Sequence, residues 1–177
     1  LKFRTTNITA LAVHDGRLAW NVSDGAELWK ITAAVPTTAL VDYEGRVWCG
    51  TAQNRIVSLN TTTGDVVDSF QIDHSLGVPR SLALYGGRLY VGGTDGSIAV
   101  HNSSSGEKLL VTAPSAAHIG PVLSLAVFWD KLFSGGVDQM RVWDVQGGLD
   151  PLWTAPGVHA CLVPFSGAVL AATGQNV

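Results

Sequence analysis

The sequence has few charged residues, few cysteines and no long apolar run. Charged residues make up 14% of its 177 positions, against about 25% in an ordinary soluble domain, and the net charge is −3. Because lysine and arginine are not clustered, we expect neither nucleic acid nor an anionic membrane as a partner. No apolar stretch reaches the roughly 18 to 20 residues that a membrane-spanning helix needs.

The two cysteines, Cys49 and Cys161, lie in separate apolar stretches, and we expect both to be buried and reduced. Reduced cysteines predict a reducing compartment, and therefore the cytoplasm. Four Asn-X-Ser/Thr sequons leave a secretory location open. They begin at Asn7, Asn21, Asn60 and Asn102. The last two stand in Thr- and Ser-rich turns, where such triplets also arise from turn chemistry.

Glycine is abundant, with 20 residues, and hydrophobic residues make up 46% of the chain. Short apolar strands alternate with glycine- and hydroxyl-rich turns, which predicts an all-β chain. Similar hairpins recur about every 40 residues, with Gly16, Gly45, Gly87, Asp130 and Gly167 at the turns. This period predicts four-stranded antiparallel units near residues 8–36, 37–78, 79–117, 118–157 and 158–177, the last incomplete.

One unit carries the sequence AAHIGPVLSLAVFWDKLFSGGVDQMRVWDV, residues 116–145. Its histidine, Ser-Gly-Gly segment, hairpin aspartate and Trp-Asp pair resemble a whole WD repeat. The resemblance implies a β-propeller, of which the chain supplies about four blades. Because propellers need typically four to eight complete blades to close, we expect the chain to be part of a larger propeller. The resemblance also implies a hydrogen-bonded chain of four structural residues, His118, Ser134, Asp138 and Trp143.

The other units match this set less well. In the third unit His74 and Asp95 stand at matching places, whereas Val91 replaces the serine and His101 replaces the tryptophan. In the second unit the set is absent, with Cys49, Gln53 and Leu59 at the corresponding places. The first unit is too short for four strands, so either this blade is degenerate or residues are omitted between Trp20 and Asn21, and we favour the omission.

A second resemblance is to quinoprotein-type propeller repeats. It is carried by GAELW at residues 25–29 and by RLYVGGTDGSIAVHNSSSGEKL at residues 88–109. It implies the same architecture, but permits a periplasmic or lumenal assembly scaffold or a quinone-dependent dehydrogenase. The dehydrogenase would need a calcium site, and the carboxylates on offer, Asp42, Asp68 and Asp73, form no recognisable motif.

No catalytic or metal-binding constellation accompanies the propeller pattern. Ser134, His118 and Asp138 lack a nucleophile-elbow or oxyanion motif, and the five histidines are scattered without paired spacing. We therefore expect no enzyme activity, no metal and no cofactor. The tryptophans Trp48, Trp143 and Trp153 are expected to pack in the core or between blades.

The resemblance instead implies a scaffold of WD-repeat type that binds a protein partner. One rim of the propeller would gather bulky and charged residues, which anchor interfaces better than the serines and threonines of the opposite rim do. The candidate partner-binding residues are Arg55, His74, Arg80, Asp95 and Gln139. Asn54, Leu76 and Ile119 are expected at the same rim.

Overall fold

The computed structural model describes residues 37–173, which form three four-stranded sheets and one two-stranded sheet, all antiparallel. The first sheet comprises β1 (Thr37–Tyr43), β2 (Arg46–Thr51), β3 (Arg55–Asn60) and β4 (Val66–Gln71). The second comprises β5 (Pro79–Tyr85), β6 (Arg88–Gly93), β7 (Ile98–Asn102) and β8 (Lys108–Val111). The third comprises β9 (Ser124–Phe128), β10 (Lys131–Gly135), β11 (Gln139–Asp144) and β12 (Pro151–Pro156), and the last β13 (His159–Phe165) and β14 (Ala168–Thr173).

Helical structure within residues 37–173 is confined to two 3-10 turns, at His74–Leu76 and Pro114–Ala116. In this part of the chain no helix is long and apolar enough to cross a membrane. The predicted omission between Trp20 and Asn21 and the sequons at Asn7 and Asn21 lie outside the described residues.

The turns follow the chemistry of their residues. Asn60 holds the β3–β4 turn, because its side-chain oxygen accepts hydrogen bonds from the backbone N–H groups of Thr62 (2.8 Å) and Thr63 (3.1 Å). Asn102 holds the β7–β8 turn in the same way, through Ser104 and Ser105. Each asparagine thus serves as an Asx-turn residue.

The sheets pack face to face in chain order, with β1, β5, β9 and β13 as the adjacent inner strands. A cluster that includes Trp48, Ile56 and Leu89 fills the space between the first and second sheets. Another, with Tyr90, Leu132 and Trp143, fills the space between the second and third. Burying each such side chain contributes roughly 1.5–3 kcal/mol. This arrangement confirms the predicted all-β, partial-propeller architecture.

Two burial predictions are wrong in β12 and β13, the last strand of the third sheet and the first strand of the last sheet. Trp48 and Trp143 are buried as expected, but Trp153 is 51% exposed and Cys161 is exposed. Trp153 lies beside Phe133, with ring centroids 6.5 Å apart, on the face that looks toward the last sheet. The last sheet has two strands within residues 37–173. It therefore covers less of the third sheet than the four-stranded second sheet covers of the first sheet.

The strand order defines two rims. The bottom rim contains the turns between the first and second and between the third and fourth strands of each sheet. The top rim contains the turns between the second and third strands and the connections from one sheet to the next. The top rim therefore contains residues 52–54, 72–78, 94–97, 112–123, 136–138 and 157–158, together with the strand ends beside them, where Arg55, Arg80 and Gln139 lie.

Candidate functional site

The top rim of the third sheet brings four polar side chains together. Trp143 in β11 donates its indole N–H to Ser134 Oγ in β10 at 2.8 Å. Ser134 Oγ lies 2.7 Å from His118 Nε2, in the connection before β9. His118 Nδ1 lies 2.7 Å from Asp138 Oδ1, in the β10–β11 turn. The four side chains form one hydrogen-bonded chain from the blade interior to the rim.

The direction of this chain follows from its two ends. The Trp143 N–H can only donate, and the Asp138 carboxylate can only accept. The Ser134 hydroxyl therefore donates to His118 Nε2, and His118 Nδ1–H donates to Asp138. In this tautomer every donor in the chain has an acceptor, which a buried polar group requires.

The electrostatics agree with a neutral histidine. Burial lowers the pKa of His118 and outweighs the opposing hydrogen bond and charge of Asp138. Burial acts to raise the pKa of Asp138, but hydrogen bonds from His118 and from the backbone N–H of Ile119 together hold it below its usual value. The contact is therefore a hydrogen bond from a neutral imidazole to a carboxylate.

Glycine lets the loop and the turn approach this closely. A Cβ atom on Gly136 would lie 2.6 Å from His118 Nδ1 and 2.7 Å from Asp138 Oδ1. On Gly135 it would lie 2.1 Å from the carbonyl oxygen of His159. Real side chains do not approach neighbours this closely, so the Ser-Gly-Gly segment is required by the packing of the connections against β10.

Arg141 extends the network along the rim. Its guanidinium donates to the carbonyl oxygen of Ala116 and to Asp138 Oδ2 at 3.4 Å. The Gln139 amide oxygen accepts from Arg141 Nη2 at 2.8 Å, in the amide orientation that satisfies both side chains. Gln139, a predicted partner-binding residue, is thus half-buried and bonded within the fold.

The Ser134, His118 and Asp138 contacts have the atom pairing of a hydrolase triad. Ser134 is 0% exposed and His118 is 4% exposed, and Ser134 Oγ already accepts the Trp143 N–H. A nucleophile must reach a substrate carbonyl, and this hydroxyl is enclosed by the blade. The arrangement satisfies buried polar groups and joins a connection to a turn.

The second and first sheets place other residues at these positions. His101 pairs with Leu89 in the register as Trp143 pairs with Leu132. Its Nδ1 lies 3.0 Å from the carbonyl oxygen of Gly106. Asp95 accepts from Ser97, at 2.7 and 2.8 Å. The first sheet has buried Cys49 and Leu59 in the serine and tryptophan places.

The structure exposes three of the five predicted partner-binding residues, Arg55, Arg80 and Asp95. His74 begins a 3-10 turn at the same rim. Leu76 and Asn54 lie in top-rim segments as expected, but they are 0% and 7% exposed and do not present their side chains to a partner. Leu76 packs into the cluster between the first two sheets, because the turn that carries it folds inward.

An exposed apolar pair completes the rim. Ile119 is 80% exposed and Val137 is 47% exposed. Their loops are adjacent, because a Cβ on Gly120 would lie 3.3 Å from Val137 Cγ2. Ile119 was predicted at this rim, but Val137 was missed. The sequence signal that could have identified Val137 is a β-branched apolar residue at the tip of the β10–β11 turn, which otherwise contains glycine and polar residues.

Comparison with known proteins places the chain in a family. The PQQ_2 family model, described as outer membrane protein assembly factor BamB, matches residues 5–173. The chain belongs to this BamB-type propeller family. The match falls on the quinoprotein-type repeats that the sequence also resembles. No curated protein sequence matches the chain.

Solved structures similar to this BamB-type chain are propellers. The computationally designed Ika4 protein is 21% identical, with a TM-score of 0.66, over 84% of this chain and 92% of that one. Saccharomyces cerevisiae Sqt1 is 16% identical, with a TM-score of 0.70, over 87% of this chain and 49% of that one. The RRP9 WD40 repeats are 18% identical, with a TM-score of 0.64, over 75% and 43%.

These likenesses confirm the predicted propeller fold, and the family match confirms the resemblance to quinoprotein-type repeats. The chain spans about half the length of the natural propellers that it matches, 49% of Sqt1 and 43% of the RRP9 repeats. At identities of 16–21% they establish the fold.

A quinone cofactor with calcium does not fit the described part of this BamB-type chain. Asp68 pairs with Arg46 at 2.5 Å, and Asp73 pairs with Lys108 at 2.6 Å. The Lys108 hydrogen bond, with those of Ser75, holds the pKa of Asp73 well below its usual range. Residues 37–173 contain no group of three or more His, Cys, Asp or Glu side chains that could hold a metal ion.

Proposed function

We propose that this chain is a non-catalytic scaffold that binds a protein partner through its top rim. The proposal rests on one observation: exposed arginine and apolar side chains lie on a rim whose backbone is held by the hydrogen-bonded network of the third sheet. Arg55 and Arg80 are exposed, and Ile119 and Val137 form an apolar pair. The backbone beside Ile119 is fixed, because its N–H donates to Asp138 Oδ2 at 3.2 Å.

The arginines are available for a partner in this proposal. Their alternative role would be to form ion pairs with Asp73 and Asp95. Asp73 bonds Lys108 and Ser75, and Asp95 bonds Ser97. Arg55 donates to Ser69 Oγ at 2.6 Å, a neutral contact on the exposed edge of the sheet that leaves its charge uncompensated. Arginine is enriched among interface residues that dominate binding energy.

The family match supports an assembly role for this scaffold. The family model is named for an outer membrane protein assembly factor. By analogy, the partner of this chain would be another component of a protein complex. A scaffold with no turnover also agrees with the enclosed Ser134 hydroxyl. Catalysis would require a substrate path to a group that is 0% exposed.

The test is a double charge reversal, Arg55→Glu with Arg80→Glu. A partner is first identified by co-purification with the wild-type chain, and its affinity for the purified variants is then measured by calorimetry. We expect the double variant to lose about 2 kcal/mol or more of binding free energy, the size of an interface hot spot. Its melting temperature should not fall, because neither arginine is buried.

The matched control places two carboxylates at exposed positions within the outer strands β8 and β12, Leu109→Glu with Thr154→Glu. These substitutions shift the net charge in the same direction as the arginine variant does and should leave the affinity within about 0.5 kcal/mol. Unchanged affinity in the arginine variant would move the contact surface away from the top rim.

For its location we propose the cytoplasm. Cys49 and Cys161 are both free, and burial raises the pKa of the Cys49 thiol to about 12, which keeps it unreactive. Asn60 and Asn102 already serve the turns that they stand in, so their sequons have a structural reason. Fractionation of cells that express the tagged chain should recover it unglycosylated in the cytosolic fraction. Recovery as a glycosylated lumenal protein would contradict this proposal.

A further inference from the structure

The hairpin between β9 and β10 holds an exposed tryptophan in an unfavourable backbone conformation. Trp129 has φ 46° and Asp130 has φ 55°, in the left-handed region that bulky residues seldom occupy. The Trp129 side chain is 77% exposed. It stacks on Phe128, with ring centroids 5.0 Å apart and an interplanar angle of 19°.

The equivalent hairpins relieve this conformation with glycine. The β1–β2 turn uses Glu44 and Gly45, the β5–β6 turn Gly86 and Gly87, and the β13–β14 turn Ser166 and Gly167, all with positive φ. The β9–β10 hairpin is thus the one among the four described that has a side chain at both positions. Backbone strain of this kind is concentrated at binding and catalytic sites, although strain alone does not name a ligand.

The position of the tryptophan is fixed by the neighbouring sheet. The Tyr85 hydroxyl donates a hydrogen bond to the Asp130 carboxylate, which joins the β5–β6 and β9–β10 turns. Phe128, beneath the indole, ends β9 as Tyr43 ends β1 and Tyr85 ends β5. The Phe128–Trp129 stack is therefore a preformed aromatic surface, and a partner would lose little entropy in ordering it.

The exposed charges in the bottom-rim turns are negative, which favours a positively charged partner. Exposed carboxylates of the bottom rim lie in turns of all three four-stranded sheets, at Glu44, Asp65, Glu107, Asp130 and Asp150. The basic side chains at this end are engaged within the fold. Arg46 pairs with Asp68 and Lys131 with Asp144, whereas Arg88 donates to the carbonyl oxygen of Val145 at 2.7 Å.

We propose that the bottom rim binds an arginine-containing extended segment of a protein partner, with a guanidinium stacked on the exposed face of the Trp129 indole. Tryptophan is the best aromatic partner for a cation, and a planar guanidinium stacks on it better than an ammonium group does. Asp130, next to Trp129 in the hairpin, and the other exposed carboxylates of the same rim attract the remaining positive charge. This surface lies opposite the one in the proposed function and is independent of it.

The probe is an acetylated, amidated heptapeptide that alternates glycine and arginine, titrated into the 177-residue chain by calorimetry and by tryptophan fluorescence. The variant is Trp129→Asn, because asparagine removes the ring and tolerates positive φ. We expect its affinity for the peptide to fall about two- to fivefold, the range of an exposed cation–π contact, with no loss of melting temperature. Trp129→Phe should retain part of the affinity.

Trp153→Ala is the matched control, because Trp153 is also an exposed tryptophan, at 51%, but lies within β12 and not in a bottom-rim turn. It should bind the peptide as the wild-type chain does, and so should Arg55→Glu with Arg80→Glu. The heptapeptide with lysine in place of arginine should bind more weakly. The proposal is overturned if the arginine peptide does not bind in about 0.05 M salt, or if Trp129→Asn binds it unchanged. Equal losses in Trp129→Asn and Trp153→Ala would also overturn it.

Discussion

The second and third sheets have the same strand order and the same register, but their buried polar side chains form different hydrogen bonds. In the third sheet Trp143, Ser134 and His118 form a polar chain that reaches Asp138 at the rim. In the second sheet Val91 occupies the serine place and His101 the tryptophan place. The His101 Nδ1 turns toward the carbonyl oxygen of Gly106, and its Nε2 has no partner among the described residues.

The difference shows that the blade itself does not require the polar chain. Both sheets are held by the same kind of apolar cluster between neighbours. The hydrogen-bonded chain of the third sheet adds a link from the blade interior to the loop that carries Ile119. We infer that it braces the part of the top rim on which the proposed contact surface depends.

Replacing Ser134 by valine gives the third sheet the residue of the second. The Trp143 N–H and His118 Nε2 would then be buried without partners, and leaving a buried polar group unpaired costs about 1–3 kcal/mol each. We expect Ser134→Val to lower the free energy of unfolding by about 2–4 kcal/mol in urea denaturation. A loss below about 1 kcal/mol would mean that the hydrogen-bonded chain through Ser134 contributes little to stability.

Replacing Trp143 by phenylalanine should have a smaller effect. The ring remains, but the indole N–H is lost and Ser134 Oγ loses one partner, at a cost of about 1–3 kcal/mol. The double variant with Ser134→Val should cost less than the sum of the single losses, because both remove the same hydrogen bond. Additive losses would show that Trp143 and Ser134 act independently.

The smallest effect expected is on the pH dependence of stability. Burial lowers the pKa of both His118 and His101, so the folded state holds both rings neutral. The unfolded chain then binds protons more readily. The stability from each neutral ring is fully present above about pH 6.5, the usual histidine value, and is lost as pH falls toward the lowered values.

His118→Gln separates the contribution of the third sheet from that of the second. Urea denaturation at pH 7 and pH 5 should show a smaller loss of stability on acidification in this variant than in the wild-type chain. A remaining loss would be attributed to His101. An identical loss in both proteins would mean that His118 does not titrate differently on unfolding.

Much of the fold could be predicted from the sequence because it is carried by local signals. Turn glycines such as Gly45 and Gly87 mark the hairpins, and the short apolar strands between them predict antiparallel units. The hydrogen-bonded set of His118, Ser134, Asp138 and Trp143 is implied by the resemblance to a WD repeat, and the structure brings these four side chains together.

Side-chain direction and burial could not be predicted in the same way. Leu76 lies in a top-rim connection, but a 3-10 turn folds it into the core. Trp153 follows the strand period, yet its exposure depends on how many strands the next sheet contributes. Trp129 could have been found by aligning the hairpins, because it stands where the equivalent turns have Glu44, Gly86 and Ser166.

The most direct test of the account is the protonation state of the His118 ring, measured by long-range nitrogen–proton NMR between pH 8 and pH 5. A structural chain that begins at Trp143 and ends at Asp138 requires a neutral ring with its proton on Nδ1. We expect this tautomer to persist well below the usual histidine pKa. A ring protonated on Nε2, or one that becomes charged near pH 6.5, would contradict the donor order and with it the structural role assigned to Ser134.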